Sequence, residues 1–217
     1  EHAKRMQWLE DRLRFGKAVV LQDEPSGTAY AGRRIQQMAD FSYVYSMDDY
    51  VQGRLKPVSL ERKILIKDAK KTPLNPSEES QLRGTIASLN WSSREGRPDA
   101  AAAASILAGC FPGPTVMDAI ETNKVVQRVK SHSVKLKIHS IPESEIRHFV
   151  ISDAAFDPSG RTKPQHGWIQ GMTNRDLSRG LGAPVSLISW RSRRLRRKAR
   201  STMLCESISL STALGAL

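Results

Sequence analysis

The stretch Phe149-Val150-Ile151-Ser152-Asp153-Ala154-Ala155-Phe156 decides the fold expected for the last third of the chain. It has the pattern of an apolar strand that ends on an acidic residue, and two further strand-like runs follow at 166–172 and 185–190. Residues 201–216 then have a helical pattern. Three strands followed by a helix predict an α+β (α/β) unit over residues 146–217.

Two further regions precede this unit. Residues 1–60 contain short runs of aromatic and β-branched residues between turn residues, which predict a small β-rich segment. Residues 61–145 predict a helical connection whose first helix has a clear start, since Asn75 suits the N-cap and Glu78 can close a capping box. The other elements predicted in this region are helices at 97–107 and 115–131 and an edge strand at 134–138.

The charge of the chain favours an anionic partner. Its 217 residues include 34 Lys and Arg against 22 Asp and Glu, a formal net charge of +12. Cations that neutralise phosphates release condensed counterions, so this excess favours nucleic acid, although it is also consistent with a merely soluble surface. No apolar run approaches the length of about 18 residues that spans a membrane, so no membrane partner is expected.

Cysteine usage and the absence of targeting signals point to the cytoplasm or nucleus. Cys110 and Cys205 are far apart and match no paired ligand spacing, which indicates free thiols in an intracellular protein. No signal peptide is visible, so secretion is not expected. The chain begins with Glu1, and residues 211–217 still look helical, which suggests a segment of a longer reading frame.

Two acidic residues are candidate metal ligands. Asp153 stands where a sheet can present it to Mg²⁺, which prefers a few carboxylates together with water and substrate oxygens. Glu206 shares a helix face with Met203 and Leu210, so a carboxylate interrupts an apolar stripe, and acids seldom lie on a buried face without a partner. A pairing of Asp153 with Glu206 is one interpretation. The alternative is that Asp153 only begins a turn. Asp157 is a weaker candidate ligand, because its place in the predicted turn at 157–160 explains it better.

A basic block separates the last predicted strand from the helix. Residues 191–200 are Arg-Ser-Arg-Arg-Leu-Arg-Arg-Lys-Ala-Arg. Such a run contacts phosphates, serves as a localisation signal or forms a solvated surface, and the net charge favours the first. Trp168 and Trp190 could stack on bases, but their apolar strands favour a place in the core. The predicted nucleic-acid-binding residues are Arg191, Arg193, Arg194, Arg196, Arg197, Lys198 and Arg200.

One motif imitates a polymerase site. Tyr45-Ser46-Met47-Asp48-Asp49 resembles the Tyr-X-Asp-Asp hairpin of reverse transcriptases, whose paired aspartates hold metal, but one extra residue separates the tyrosine from the aspartates. The residues that follow look helical. We therefore predict a strand-to-helix junction capped by Asp48 or Asp49, and no polymerase site.

Several motifs in order along the chain resemble copia-type retrotransposon Pol proteins. Residues 82–91 (Leu-Arg-Gly-Thr-Ile-Ala-Ser-Leu-Asn-Trp) and Arg97-Pro98-Asp99 are similar to a stretch between the polymerase and ribonuclease H regions of that family. Residues 30–35 with Tyr50-Val51 resemble the segment after the polymerase palm. The motifs similar to the start of the ribonuclease H domain are residues 151–156, 165–168, 189–192 and 200–202 with Glu206.

The resemblance implies an organisation into three parts. Residues 1–60 would be a β-rich remnant that follows a polymerase palm, 61–145 the helical connection, and 146–217 a truncated ribonuclease H-like sheet with one helix. Asp153 and Glu206 match the first two metal-binding carboxylates of an enzyme that hydrolyses the RNA strand of an RNA–DNA hybrid with Mg²⁺.

The same resemblance sets the functional expectation. The family's later ribonuclease H acids and its polymerase palm have no counterpart in these residues, so we expect a fragment of a Pol polyprotein that is inactive alone. Its partners would be an RNA–DNA hybrid or DNA and the rest of the polyprotein. Two alternatives stay open: a basic, non-catalytic nucleic-acid-binding module, and a nuclease completed in trans by another chain.

Overall fold

The computed structural model describes residues 2–13, 19–62, 64–156, 164–195, 199 and 201–216. The helices in these residues are α1 (His2–Glu10), α2 (Asp48–Arg54), α3 (Ile66–Ala69), α4 (Pro76–Glu95), α5 (Ala101–Leu107), α6 (Val116–Ser131), α7 (Arg175–Ser178) and α8 (Thr202–Leu214). The strands are β1 (Thr28–Tyr30), β2 (Arg33–Gln37), β3 (Tyr43–Ser46), β4 (Lys135–Ile138), β5 (Arg147–Ala155), β6 (Gln165–Thr173) and β7 (Ser186–Arg194). Helices and antiparallel strands occur together, which confirms the predicted α+β class.

The first sheet has the strand order β1-β2-β3-β4, and all of its pairs are antiparallel. A tight turn joins β1 to β2, where Gly32 has a φ of 81°, a conformation that glycine adopts without steric cost. The edge strand predicted at 134–138 is confirmed as β4, which pairs with β3 so that Tyr43 lies opposite Ile138. This sheet therefore joins residues from both the β-rich segment and the helical connection.

The junction between β3 and α2 follows the sequence prediction in outline. β3 ends at Ser46 and α2 begins at Asp48, but the residue at the N-cap is Met47, so the prediction that an aspartate caps this helix is wrong. The Met47 side chain is fully buried and belongs to the helical core, which fixes its position at the helix start. Asp48 and Asp49 lie in the first turn of α2, where their negative charges interact favourably with the positive end of the helix dipole.

The main core lies among helices α2, α4, α5 and α6. Its buried side chains are mostly aliphatic, and the small alanines of α5 allow that helix to approach its neighbours closely. The core residues are Met47, Val51, Leu55, Leu89, Ala100, Ala104, Val126 and Val129. The start of α4 carries the predicted capping box, in which the Glu78 N–H donates to Asn75 Oδ1 (2.8 Å) and the Asn75 N–H donates to Glu78 Oε2 (2.9 Å).

The second sheet contains β5, β6 and β7 in that order, again antiparallel, and α8 packs on β5 and β6. The three predicted strands and the final helix are thus confirmed. β7 continues to Arg194, beyond its predicted end at 190, because Arg191 and Arg193 still pair with β6. The basic block therefore begins on the strand itself. The predicted loop at 173–184 contains the short helix α7.

Candidate functional site

Helices cover both faces of the second sheet. On one face, Cys205 of α8 forms an apolar cluster with Ala154 and Leu195, and the Gln170 side chain donates a hydrogen bond to the Ala213 carbonyl (2.6 Å). We call this the α8 face. On the other face, the indole N–H of Trp190 donates to the Ser93 carbonyl at the end of α4 (2.6 Å), and α5 contacts β7. We call this the α5 face.

Asp153 contacts α8 through its backbone and not through its side chain. The Ser209 hydroxyl of α8 donates to the Asp153 carbonyl oxygen (3.1 Å). Successive side chains of a strand point to opposite faces, and Ala154 packs under α8, so the Asp153 side chain lies on the α5 face. There it is exposed and lines a shallow cavity together with Ala101 and Ala102.

Glu206 lies on α8, half-buried, next to Cys205. The buried residues of this helix are Cys205, Ser209 and Ala213, whereas Met203 is 79% exposed. Leu210 is 47% exposed as well, so the interpretation that Glu206 interrupts a buried stripe of Met203 and Leu210 is wrong. The helix turns its small residues toward the sheet because small side chains allow close approach, which the Ser209 hydrogen bond requires.

The structure places one of the two predicted carboxylates on each face of β5. The Asp153 side chain is on the α5 face, and Glu206 belongs to the helix on the α8 face. Among the residues described, no group of three or more His, Cys, Asp and Glu side chains is close enough to hold a metal ion. The metal-binding roles of Asp153 and Glu206, and of Mg²⁺ with them, stay predictions from the resemblance.

The basic block lies partly within the described residues. Arg191, Arg193 and Arg194 are on β7, and the buried Leu195 follows them. The remaining predicted nucleic-acid-binding residues lie outside the described residues; they are Arg196, Arg197, Lys198 and Arg200. The two tryptophans of the sheet, Trp168 and Trp190, are buried, as predicted for core residues.

A basic groove runs between β7 and helices α4 and α5. Arg94, in the last turn of α4, lines it. Arg191 and Arg193 belong to the same stretch of β7, but their side chains lie on the α8 face, because these residues pair with Trp168 and His166. The bond from Trp190 to Ser93 holds the end of α4 against β7 and so brings Arg94 to the strand. The lining residues are Asn90, Ser93, Arg94, Ala101, Ser105, Ala108, Trp190, Arg191, Ser192 and Arg193, none of which is acidic. The Arg94 guanidinium beside hydroxyl and amide groups favours an anionic, hydrogen-bonding ligand.

Sequence reasoning missed Arg94. In the sequence it is a single cation between Ser93 and Glu95, with no basic neighbour to single it out. Glu95 forms an ion pair with Arg33 of β2, so the nearest acidic side chain in the sequence is engaged elsewhere. Only the packing of α4 on β7 shows that Arg94 extends the basic block.

Comparison of the chain with models of known protein families, with curated proteins and with solved structures finds no match. Among the helices in the described part of the chain, none is long and apolar enough to cross a membrane.

Proposed function

We propose that this protein is a nucleic-acid-binding part of a retrotransposon Pol protein, with a ribonuclease H-like unit at residues 146–217. The observation that carries the binding role is the basic groove, which Arg94 lines beside the start of the basic block on β7 and which no acidic residue lines. Guanidinium groups bind phosphate oxygens with two parallel hydrogen bonds, so this groove is suited to a sugar–phosphate backbone.

The order of elements supports the kinship with ribonuclease H. Three antiparallel strands are followed by a helix that packs on the first two strands. Asp153 lies on the first strand and Glu206 on the helix, which are the element positions that the resemblance implies for the first two carboxylates.

Binding is tested with fluorescence anisotropy on an RNA–DNA hybrid and on the DNA duplex of the same sequence. Replacing Arg94 and Arg194 with alanine removes two guanidinium groups from the α5 face, since the Arg194 side chain lies against Gly109 at the end of α5. Each phosphate contact contributes about 0.9 to the slope of log K against log salt, so the double variant should lower the slope by about 2. Arg54→Ala, which removes an exposed arginine from α2, is the matched control and should leave affinity and slope unchanged.

Two results would contradict the binding role: a wild-type affinity that does not depend on salt, or a double variant that behaves like Arg54→Ala. A preference for the hybrid over the duplex supports the kinship with ribonuclease H. Equal affinity for the hybrid and the duplex supports the alternative of a basic module that recognises only phosphates, since neither Asp153 nor Glu206 lines the groove.

Hydrolysis is tested separately on the same hybrid with Mg²⁺. Because Asp153 and Glu206 lie on different faces of β5, we expect the chain alone to leave the RNA strand intact. Cleavage by the purified chain that disappears in Asp153→Asn would show that these carboxylates act together after all. Cleavage that occurs only after a second Pol chain is added would favour the nuclease completed in trans.

A further inference from the structure

A second cavity, of about 420 Å³, lies on the α8 face of the sheet, between α8 and the strands β6 and β7. Its walls combine one cation, one imidazole and three hydroxyl groups with two aliphatic side chains. The lining residues are His166, Arg193, Leu195, Ser207, Ile208, Ser211 and Thr212. No acidic residue is among them, so the arginine charge is not neutralised by the walls of the cavity.

His166 and Arg193 are joined by a hydrogen bond at the sheet. Arg193 Nε donates to His166 Nε2 at 3.0 Å, which requires a neutral imidazole with its proton on Nδ1. Burial, together with the charges of Arg193 and Arg191, lowers the pKa of His166 and thus keeps the ring neutral. The bond holds the Arg193 side chain in place while its two terminal amino groups retain their charge.

The proton on Nδ1 meets no acceptor in the part of the chain that the structure describes. His166 is only 3% exposed, and within the described residues its Nδ1 makes no hydrogen bond. A buried donor without a partner costs about 1–3 kcal/mol, so such groups in native proteins usually indicate a missing acceptor. Because this nitrogen is itself buried, the ring contributes to the cavity through Arg193, whose side chain it holds in place.

The hydroxyl groups of α8 can adapt to such a ligand. Ser207 donates to the Met203 carbonyl (2.8 Å) and Thr212 to the Ile208 carbonyl (2.7 Å), both within the helix. A hydroxyl rotates about its C–O bond at little cost, so each can donate to a ligand instead. Ser211, at the exposed rim, adds a third hydroxyl.

We propose that this cavity binds a phosphate group, held by Arg193, which His166 positions, and by the hydroxyls of α8. The phosphate can be inorganic, part of a small phosphorylated molecule or part of a nucleic acid. The site goes beyond the basic groove, since it lies on the α8 face and uses neither Arg94 nor the residues of α5.

The test is a titration of the purified chain with inorganic phosphate at neutral pH. Calorimetry measures the affinity, and ¹H–¹³C spectra follow the imidazole resonances of His166. Wild type should bind saturably and shift those resonances. Arg193→Gln removes a charge-assisted contact and should weaken binding about tenfold or more. Ser211→Asp places a negative charge at the exposed rim without disturbing the core and should abolish binding. Arg54→Gln is the matched control and should bind as wild type does.

Wild type that shows no saturable binding would overturn the proposal, and so would Ser211→Asp or Arg193→Gln with wild-type affinity. Arg94→Ala should retain phosphate binding, so a failure of the basic groove and a failure of this site are distinguishable. Ser211→Asp also identifies the source of the phosphate. If it weakens nucleic-acid binding as well, a nucleic-acid phosphate occupies the site; if nucleic-acid binding is unchanged, the occupant is a small phosphorylated molecule.

Discussion

Replacing Asp99 with alanine removes the carboxylate that neutralises a completely buried guanidinium group. The Arg97 side chain is 0% exposed, and its Nε and Nη2 donate to the two Asp99 oxygens at 2.9 and 2.8 Å. Its Nη1 donates to the Val129 carbonyl of α6 at 2.7 Å. This pair therefore links the segment between α4 and α5 to the end of α6, and it lies within the Arg-Pro-Asp motif of the sequence.

The expected cost follows from this geometry. Removing one partner of a buried ion pair costs about 3–5 kcal/mol, because the other charge stays buried without compensation. Asp99 is itself 40% exposed, which places the pair at the edge of the core and favours the lower end, about 3 kcal/mol. Arg97→Met should cost less, about 1–2 kcal/mol, since the carboxylate returns to water and only the Val129 carbonyl loses its donor.

Urea unfolding followed by far-UV circular dichroism measures both variants and the double variant. The double variant should be more stable than Asp99→Ala alone, because it no longer buries an unpaired charge. Asp68→Ala, at an exposed position of α3, is the control and should change stability by no more than about 0.5 kcal/mol. A cost below about 1 kcal/mol for Asp99→Ala, or effects that simply add in the double variant, would refute this account of the pair.

Two further perturbations test the packing of β6 and the start of α4. Gly171→Ala would place its Cβ 2.3 Å from a carbonyl oxygen of β7, so it should destabilise the protein by about 1–3 kcal/mol. In Gly84→Ala the new Cβ meets nothing within 4 Å, so this variant should stabilise α4 by up to about 1 kcal/mol. Equal unfolding midpoints for the two variants would contradict this expectation. Burial opposes the ionisation of Glu78, but the hydrogen bonds from Arg62 and Asn75 outweigh it and lower the pKa of Glu78 below its ordinary 4.5. The unfolded chain therefore takes up this proton at a higher pH than the folded chain, so stability present above pH 4.5 is lost as the pH falls further. Glu78→Gln should flatten that decline in acid unfolding curves, and an unchanged slope would count against the role of the carboxylate.

The elements that were predicted correctly are those with local causes. The capping box of α4 joins residues three apart, and the strands of the second sheet show their apolar character within a few residues. The face that α8 buries was predicted wrongly, because large apolar residues were expected inside and small ones lie there instead. Which face α8 buries depends on how closely the helix approaches β5, and the sequence of the helix alone does not indicate that distance.

The α+β class, the order of strands and helices in residues 146–217 and the strong positive charge all follow from the amino-acid sequence, because propensity and capping depend on residues close in the chain and net charge depends on composition. Which side chains meet follows from the packing. It separated Asp153 and Glu206 onto two faces, brought Arg94 to β7, and enclosed His166 with Arg193 under α8. Each of these contacts joins residues far apart in the chain, so its geometry follows from the packing of whole elements.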